Sequence, residues 1–405
     1  MSTPAAPPRP RALLLESIHD DAAFTLREAG FDVERVAGAL DENDLVAALD
    51  GVAVLGLRSN TMMTARAVQA AGSLVAAGAF CIGTNQIDLA ACSAAGVAVF
   101  NAPFSNTRSV VELALSEIIA LTRRLTDKNA AMHTGVWDKS AAGSHEVRGR
   151  RLGIVGYGNI GSQLSVLAEA LGMSVLFYDS ADKLALGNAR RCGTLEELLA
   201  EADVVSLHVD GREGNNDLFG AEQFARMRAG SIFLNLSRGF VVDHSALRSH
   251  VLSGHLAGAA VDVFPVEPRT KGEPFVSELR GLPNVILTPH VGGSTEEAQQ
   301  DIGAFVAGKL RDYAHAGTSS LSVNLPTVSL PATPGTQRLL LLHRNTPGVL
   351  ASVNGLLAEH GINVEAQVLG TRGPLGYVVT DVAEADDVVP ALRAMPETVR
   401  LRVLR

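Results

Sequence analysis

The sequence predicts an α/β protein built from two doubly wound parallel-sheet domains, the first split along the chain, followed by a small C-terminal βαββαβ domain. Three observations predict it. From Arg11 onward, short apolar runs alternate with amphipathic stretches, the pattern of parallel strands joined by helical crossovers. A glycine turn, Gly156-Tyr157-Gly158-Asn159-Ile160-Gly161, separates an apolar run from a helical one. Beyond a stretch rich in Ser, Thr and Pro, Thr318 to Thr336, the alternation resumes over a shorter span.

At 405 residues the chain exceeds one compact core, and domains of roughly 100 to 200 residues imply two to four units, of which we read three. Apolar residues make up 47% and charged residues 19%, so each unit can bury a core. Residues 1–10 form a small-residue and proline tail, expected to be disordered. That tail lacks the basic start and apolar run of a signal peptide, so a cytoplasmic protein is expected. Ala67 to Ile87 carries no charge over about the length of a membrane span. It is mostly Ala and Gly with Gln69, Ser73, Thr84, Asn85 and Gln86 interspersed, which fits a buried strand, Leu74 to Cys81, ending in a polar loop, and no membrane role is expected. Cys81, Cys92 and Cys192 form no close pair and no metal-ligand spacing, so they read as structural thiols with no metal. A net charge of -9 without a long basic run argues against nucleic acid as a partner.

Taken in order, the first domain opens with a strand at Ala12 to Leu15, a helix at Asp21 to Ala29 closed by Gly30, and strands at Val52 to Leu57 and Leu74 to Cys81. A longer helix follows, capped by Asn106 or Thr107, with Val110, Val111, Leu113, Ala114, Ile118 and Leu121 on its buried face. The second sheet runs through Arg151 to Val155, Val175 to Tyr178, Val204 to His208, Ile232 to Leu236, Gly258 to Val263 and Val285 to Thr288, with a helix near Gln163 to Leu171 after the glycine turn. Another helix, Thr295 to Tyr313, precedes the Ser/Thr/Pro-rich linker. The last unit reads as strand Leu339 to His343, helix Pro347 to His360, strands Asn363 to Leu369 and Gly376 to Asp381, then a helix and a strand.

Gly156, Gly158 and Gly161 spell G-x-G-x-x-G between strand and helix. The first permits the tight turn, the second lets backbone approach a pyrophosphate, and the third packs helix against strand. Asp179 lies at the end of the next strand, where a carboxylate accepts from both ribose hydroxyls and repels a 2'-phosphate; this favours NAD over NADP. The alternative is a strand-terminal Asp that starts a turn.

Hydride chemistry leaves a proton to manage, which requires an acid-base residue, its orienting partner and a cation for a carboxylate. His290 in Thr-Pro-His-Val-Gly-Gly, Glu267 in Phe-Pro-Val-Glu-Pro and Arg238 in Asn-Leu-Ser-Arg-Gly all follow strand ends. In a parallel sheet those ends face one crevice. Singly, each has a plain alternative: Arg238 as a turn residue, Glu267 as a solvated acid, His290 as one of eleven histidines.

Cys81 to Asp88, Asn101 to Val110, Leu152 to Gly161 and Leu287 to Thr295 carry a specific likeness. Through these segments the chain resembles the short-type D-3-phosphoglycerate dehydrogenases, a family of D-isomer-specific 2-hydroxyacid dehydrogenases with a C-terminal ACT domain. The resemblance implies NAD-dependent oxidation of 3-phosphoglycerate to 3-phosphohydroxypyruvate, with Arg238, Glu267 and His290 catalytic. It implies cofactor contacts from Gly156, Gly158, Asn159, Ile160, Gly161, Asp179, His208, Leu236, Ser237, Arg238, Asp262, His290 and Gly293. Substrate contacts fall on Arg58, Ser59, Asn106 and Lys139. Asn60 stands where many relatives carry a second arginine, which raises weaker phosphate recognition as an expectation.

The same resemblance places regulatory L-serine at His343, Asn345 and Asn363 and implies a homotetramer, with Trp137 on a segment that reaches a neighbouring subunit. It divides the chain into a substrate-binding domain at 11–105, an NAD-binding Rossmann domain at 106–292, a return segment and linker at 293–334, and an ACT domain at 335–405. Gly292-Gly293 is then the most flexible hinge expected. Two other readings stay open: a dehydrogenase for another D-2-hydroxy acid, such as hydroxypyruvate or 2-oxoglutarate in the reductive direction, and a non-catalytic NAD sensor. The ACT unit has its own alternative, a dimerisation sandwich that binds nothing.

Overall fold

The computed structural model describes residues 9–268 and 272–405, so positions 1–8 of the tail lie outside the described residues. Among the described residues, two compact units emerge: residues 9–105 with 299–405, and the described part of 106–298. Their boundaries fall between Ser105 and Asn106 and inside the helix Glu296–Ala316.

In the first unit, strands β1 (Arg11–Leu14), β2 (Asp32–Arg35), β3 (Val52–Leu57), β4 (Ala76–Ala79) and β5 (Ala98–Asn101) form a parallel sheet in the order β2-β1-β3-β4-β5. Central strands of such a sheet are covered on both faces and run apolar throughout, as Val52–Leu57 does. β2 carries three charges in four residues and lies at the sheet edge, which is why its sequence does not read as a strand. Short helices Glu42–Ala48, Ala65–Ala70 and Leu89–Ala94 start at Asp41, Thr64 and Asp88, each of whose side chains accepts from a first-turn N–H.

The second unit holds β6 (Arg151–Val155), β7 (Ser174–Tyr178), β8 (Arg190–Arg191), β9 (Val204–Leu207), β10 (Ser231–Asn235), β11 (Leu256–Val261) and β12 (Val285–Leu287). Their order, β12-β11-β10-β9-β6-β7-β8, reverses direction between β6 and β9. At that switch point the loops leaving the two strands diverge and open a crevice for a ligand. The helix Thr107–Thr122 packs its Val110, Val111, Ala114, Ile118 and Leu121 on this sheet.

The C-terminal unit of the sequence, β13 (Gln337–Arg344), β14 (Val364–Arg372), β15 (Leu375–Val382) and β16 (Thr398–Leu404), is antiparallel in the order β14-β15-β13-β16 with helices Val349–Glu359 and Val389–Ala394. The segment read as a linker holds no helix or strand and is packed. Ser319, Ser322, Leu325 and Val328 are buried, the Asn324 carboxamide accepts from Val99 N–H at 2.8 Å, and Val323 N–H donates to the Val99 carbonyl at 2.9 Å. Arg338 forms a bidentate pair with Asp381 at 2.7 and 2.8 Å and also donates to the carbonyls of Ala316, Leu330 and Pro331. Arg402 donates to the carbonyls of Tyr313 and Ala314. Among the described residues, no helix is long and apolar enough to cross a membrane.

Candidate active site

Glycine is a steric requirement at two places in the turn after β6. Gly156 sits at φ +93, and a Cβ there would lie 2.6 Å from the His208 carbonyl oxygen. A Cβ on Gly161 would come within 2.3 Å of the Gly156 oxygen, so the helix Asn159–Ala170 lies against the turn only because Gly161 has none. Gly158 differs: nothing lies within 4 Å of its Cβ position, it is the N-cap, and no side chain satisfies the helix's first N–H groups. Open space before uncapped N–H groups fits an anion. The helix begins four residues before the expected Gln163, because Asn159 to Ser162 already belong to its first turn.

Asp179 follows β7 and starts a turn there while also tying the glycine turn to it. Its carboxylate accepts from Tyr157 N–H of the glycine turn and from Ala181 N–H, both at 2.8 Å. A carboxylate has about four lone-pair sites, so acceptor capacity remains for ribose hydroxyls. His208, after β9, accepts or donates at Nε2 to the Ser206 hydroxyl at 2.9 Å, while its buried Nδ1 has no partner. Burial pushes its pKa down to about 4, so the ring is neutral. An orphaned ring nitrogen beside an open glycine turn is a donor set suited to a dinucleotide.

The acid-base residues come together within the same unit. His290 Nδ1 lies 2.9 Å from Glu267 Oε2, and the other Glu267 oxygen accepts from Phe264 N–H at 3.0 Å. Because an ionised carboxylate only accepts, Nδ1 carries the proton and Nε2 is left for substrate. The hydrogen bond to Glu267 raises the His290 pKa; burial opposes this, and the charges of Glu267 and Asp262 add to the rise. Burial disfavours the Glu267 carboxylate, yet the bonds from His290 and Phe264 outweigh it and hold the group below its ordinary value.

Behind the pair, Asp262 organises the loop. One of its oxygens accepts from the Thr288 hydroxyl at 2.6 Å and Val291 N–H at 2.8 Å, the other from Gly292 N–H at 2.8 Å, and its carbonyl accepts from His290 N–H at 2.8 Å. These bonds sustain His290 at φ +53, a left-handed conformation that costs a non-glycine residue about 1 kcal/mol or more. They also hold Gly292, and Gly293 lies against Asn106, whose Nδ2 would sit 2.1 Å from an added Cβ. The expected hinge is therefore a tied and closely packed segment.

Arg238 follows β10. Asn235 links Ser237 and Arg238 by accepting from the Ser237 N–H and hydroxyl and donating to the Arg238 carbonyl. Next to it, Gly239 packs on the Phe264-Pro265 backbone so closely that a Cβ would lie 1.9 Å from the Phe264 carbonyl carbon. This contact fixes the Arg238 turn to the loop that carries Glu267. With Phe264, Phe275, Leu287 and Pro289, Glu267 and His290 line a cavity of about 620 Å³.

The remaining expected positions are placed as follows. Leu236 is buried between β10 and Ser237. Asn106 is the N-cap of Thr107–Thr122 but makes no side-chain cap bond. Lys139 is exposed, with its ammonium 5.8 Å from the Trp137 ring, and Trp137 is 71% exposed rather than part of a core. Arg58 and Ser59 lie in the other unit, in the loop after β3. In the ACT-like sheet His343 is buried, its Nδ1 2.9 Å from the Arg344 carbonyl and its Nε2 without a partner. Opposite it stands Gly376, where a Cβ would lie 2.2 Å from the ring. Asn345 and Asn363 are exposed at 3.2 Å and 3.4 Å from the Gly373 carbonyl and Glu365, respectively.

Sequence reasoning missed Glu117, an acid on an otherwise apolar helix face. It is 2% exposed, and neither carboxylate oxygen has a partner. Burial, with the negative charge of Asp262, raises its pKa to about 8. Between about pH 4.5 and 8 the folded chain thus binds one proton more than the unfolded chain, and stability falls as pH rises through that window, by about 1.4 kcal/mol per pH unit. Glu117→Met should flatten this fall, read as a smaller difference between urea midpoints at pH 5 and pH 8. An unchanged difference would refute the assignment.

Comparison with known proteins extends this geometry. Residues 115–292 match the family model of the D-isomer specific 2-hydroxyacid dehydrogenase NAD binding domain, and residues 339–400 match the AHAS small subunit-like ACT domain. The chain is 52% identical over 396 residues to D-3-phosphoglycerate dehydrogenase of Haemophilus influenzae, covering 97% of this chain and 96% of that one. Identity to the Escherichia coli K12 enzyme of the same name is 50% over 397 residues, 97% of each chain. Among solved structures, D-2-hydroxyisocaproate dehydrogenase is similar with a TM-score of 0.70 and 25% identity, over 78% of this chain and 99% of that one.

Proposed function

Since the chain belongs to the D-3-phosphoglycerate dehydrogenase family of D-isomer-specific 2-hydroxyacid dehydrogenases, we propose that it oxidises 3-phosphoglycerate at C2 with His290 as the acid-base residue. The 2.9 Å contact between His290 and Glu267 carries the assignment of roles. Gly156, Gly158, Asn159, Ile160, Gly161 and Asp179, with His208, Leu236, Ser237, Asp262 and Gly293, would hold NAD, which when bound would supply the hydride acceptor for C2. His290 Nε2 takes the hydroxyl proton, and the carboxylate of Glu267 stabilises the imidazolium that forms. Arg238 pairs with the substrate carboxylate and steadies charge at the C2 oxygen. Arg58, Ser59, Asn106 and Lys139 bind the remaining polar groups.

In the reverse direction His290 must start protonated. Oxidation therefore gains rate as pH rises through the raised His290 pKa, and reduction loses it. Substrate class is tested by NADH oxidation with phosphohydroxypyruvate, hydroxypyruvate and 2-oxoglutarate. The expected result is the highest kcat/KM for the first. Equal efficiency on the first two would remove phosphate recognition from the assignment, a result to which the single arginine of Arg58-Ser59-Asn60 lends interest.

The ACT match supports an amino-acid effector, and we assign it as L-serine at His343, Asn345 and Asn363, on the buried His343 nitrogen that no residue satisfies. Repeating the assay with millimolar serine should lower the rate; an unchanged rate excludes the assignment. We further propose a cytoplasmic homotetramer, supported by the exposed Trp137 segment and testable by light scattering.

A further inference from the structure

Glu16 lies two residues beyond β1 and is only 7% exposed. Its carboxylate accepts three backbone N–H groups from one loop: Oε1 those of Arg58 at 3.2 Å and Thr61 at 2.9 Å, Oε2 that of Asn60 at 3.0 Å. Backbone thus takes three of its about four lone-pair sites, and its setting is strained as well. Glu16 and Ser17 have φ of +60 and +51, two successive non-glycine residues in the left-handed region. Such strain persists where surrounding bonds over-determine it, commonly at functional sites. Here Glu16 N–H donates to the Gly38 carbonyl at 3.2 Å and the Ser17 hydroxyl to the Ala37 carbonyl at 3.0 Å. From the other side, the Gln86 carboxamide donates to the Arg58 carbonyl.

We propose that Glu16 is a positioning residue for substrate binding: its buried carboxylate fixes the Arg58–Thr61 backbone in the conformation that presents Arg58 and Ser59. The physical consequence is specific. Three N–H groups converging on one point form an anion nest, but the protein's own carboxylate fills it. Substrate anions are then left to the side chains of the loop, and the orientation of those side chains is set by Glu16. The proposal rests on the reading that this loop binds the substrate.

The test is a double-mutant cycle with Glu16→Gln and Arg58→Ala. Gln keeps the volume but turns one of the two acceptors into a donor facing N–H and removes the charge that strengthens the remaining bonds. For phosphohydroxypyruvate, Glu16→Gln should raise KM by about 10-fold or more while kcat and NADH affinity stay within about 3-fold. In the Arg58→Ala background the same change should have little further effect, because both act through one contact. Should Glu16→Gln not fold, Glu16→Asp, which keeps the charge and shortens its reach, takes its place in the cycle. Additive effects, or kcat and NADH affinity falling together with KM unmoved, would overturn the positioning role. An Arg58→Ala variant with unaltered KM would instead refute the loop as the substrate site, so the two failures are distinguishable.

Discussion

His290→Ala is expected to lower kcat in both directions by about 100- to 10,000-fold, the usual contribution of a positioned acid-base group. Binding of NADH, followed by its fluorescence, should stay within about 2-fold, because most of the proposed dinucleotide contacts lie away from His290, on the glycine turn and Asp179 above all. Glu267→Gln is the informative companion. It preserves shape but leaves a neutral amide with one acceptor oxygen where His290 Nδ1 and Phe264 N–H each had one, so the imidazole loses its charged partner, the main source of its raised pKa. The pH dependence of oxidation should then shift to lower pH as the rate falls. A His290→Ala variant with near-normal turnover would move acid-base catalysis to another residue. One that abolishes turnover while the cellular phenotype persists would favour an NAD-sensing role.

Asp381→Ala should destabilise the first unit by about 3–5 kcal/mol, the cost of leaving a buried charge unpaired. Arg338 and Asp381 have side chains only 7% and 1% exposed, and their pair is bidentate. Burial penalises the Asp381 carboxylate, but the bond from Arg338 keeps it ionised below its ordinary value. Removing the acid strands a guanidinium among the carbonyls of Ala316, Leu330 and Pro331. Chemical unfolding monitored by circular dichroism measures the loss, and a change below about 1 kcal/mol would show that water reaches the site. Replacing both residues by apolar ones of similar volume should recover much of the stability.

How legible these features were depended on whether the cause is local. The glycine turn could be read because its steric demands are met by glycine alone, and His290, Glu267 and Arg238 because each follows an apolar strand. β2 was not legible, since an edge strand needs no apolar alternation, nor was the two-residue β8. The small helices at Glu42–Ala48, Ala65–Ala70 and Leu89–Ala94 are too short for a periodic signal, although Asp41, Thr64 and Asp88 marked their starts. At Thr318 to Thr336 composition marks a connector without helix or strand, but nothing local announces that its Ser322 and Asn324 side chains bond to β5. Glu16 was the most accessible omission: like Asp179 it is an acid directly after an apolar run. Its partners lie more than forty residues away, and no spacing in the chain announces them.

Tyr313, Leu325, Val328, Leu340, Leu342, Tyr377 and Val379 belong to one hydrophobic cluster with Leu14, Val54 and Phe100 of the first sheet. A core held in common has consequences for protein engineering. Cutting the chain before β13 would not release a regulatory module from an intact catalytic one; it would remove Leu340, Leu342, Tyr377 and Val379 from the shared cluster and uncover apolar residues such as Tyr313. Loss of inhibition in such a deletion would be confounded by aggregation. The proposed effector response is better tested with point substitutions, and grafting the ACT-like unit onto another dehydrogenase would require transplanting the packed connector as well.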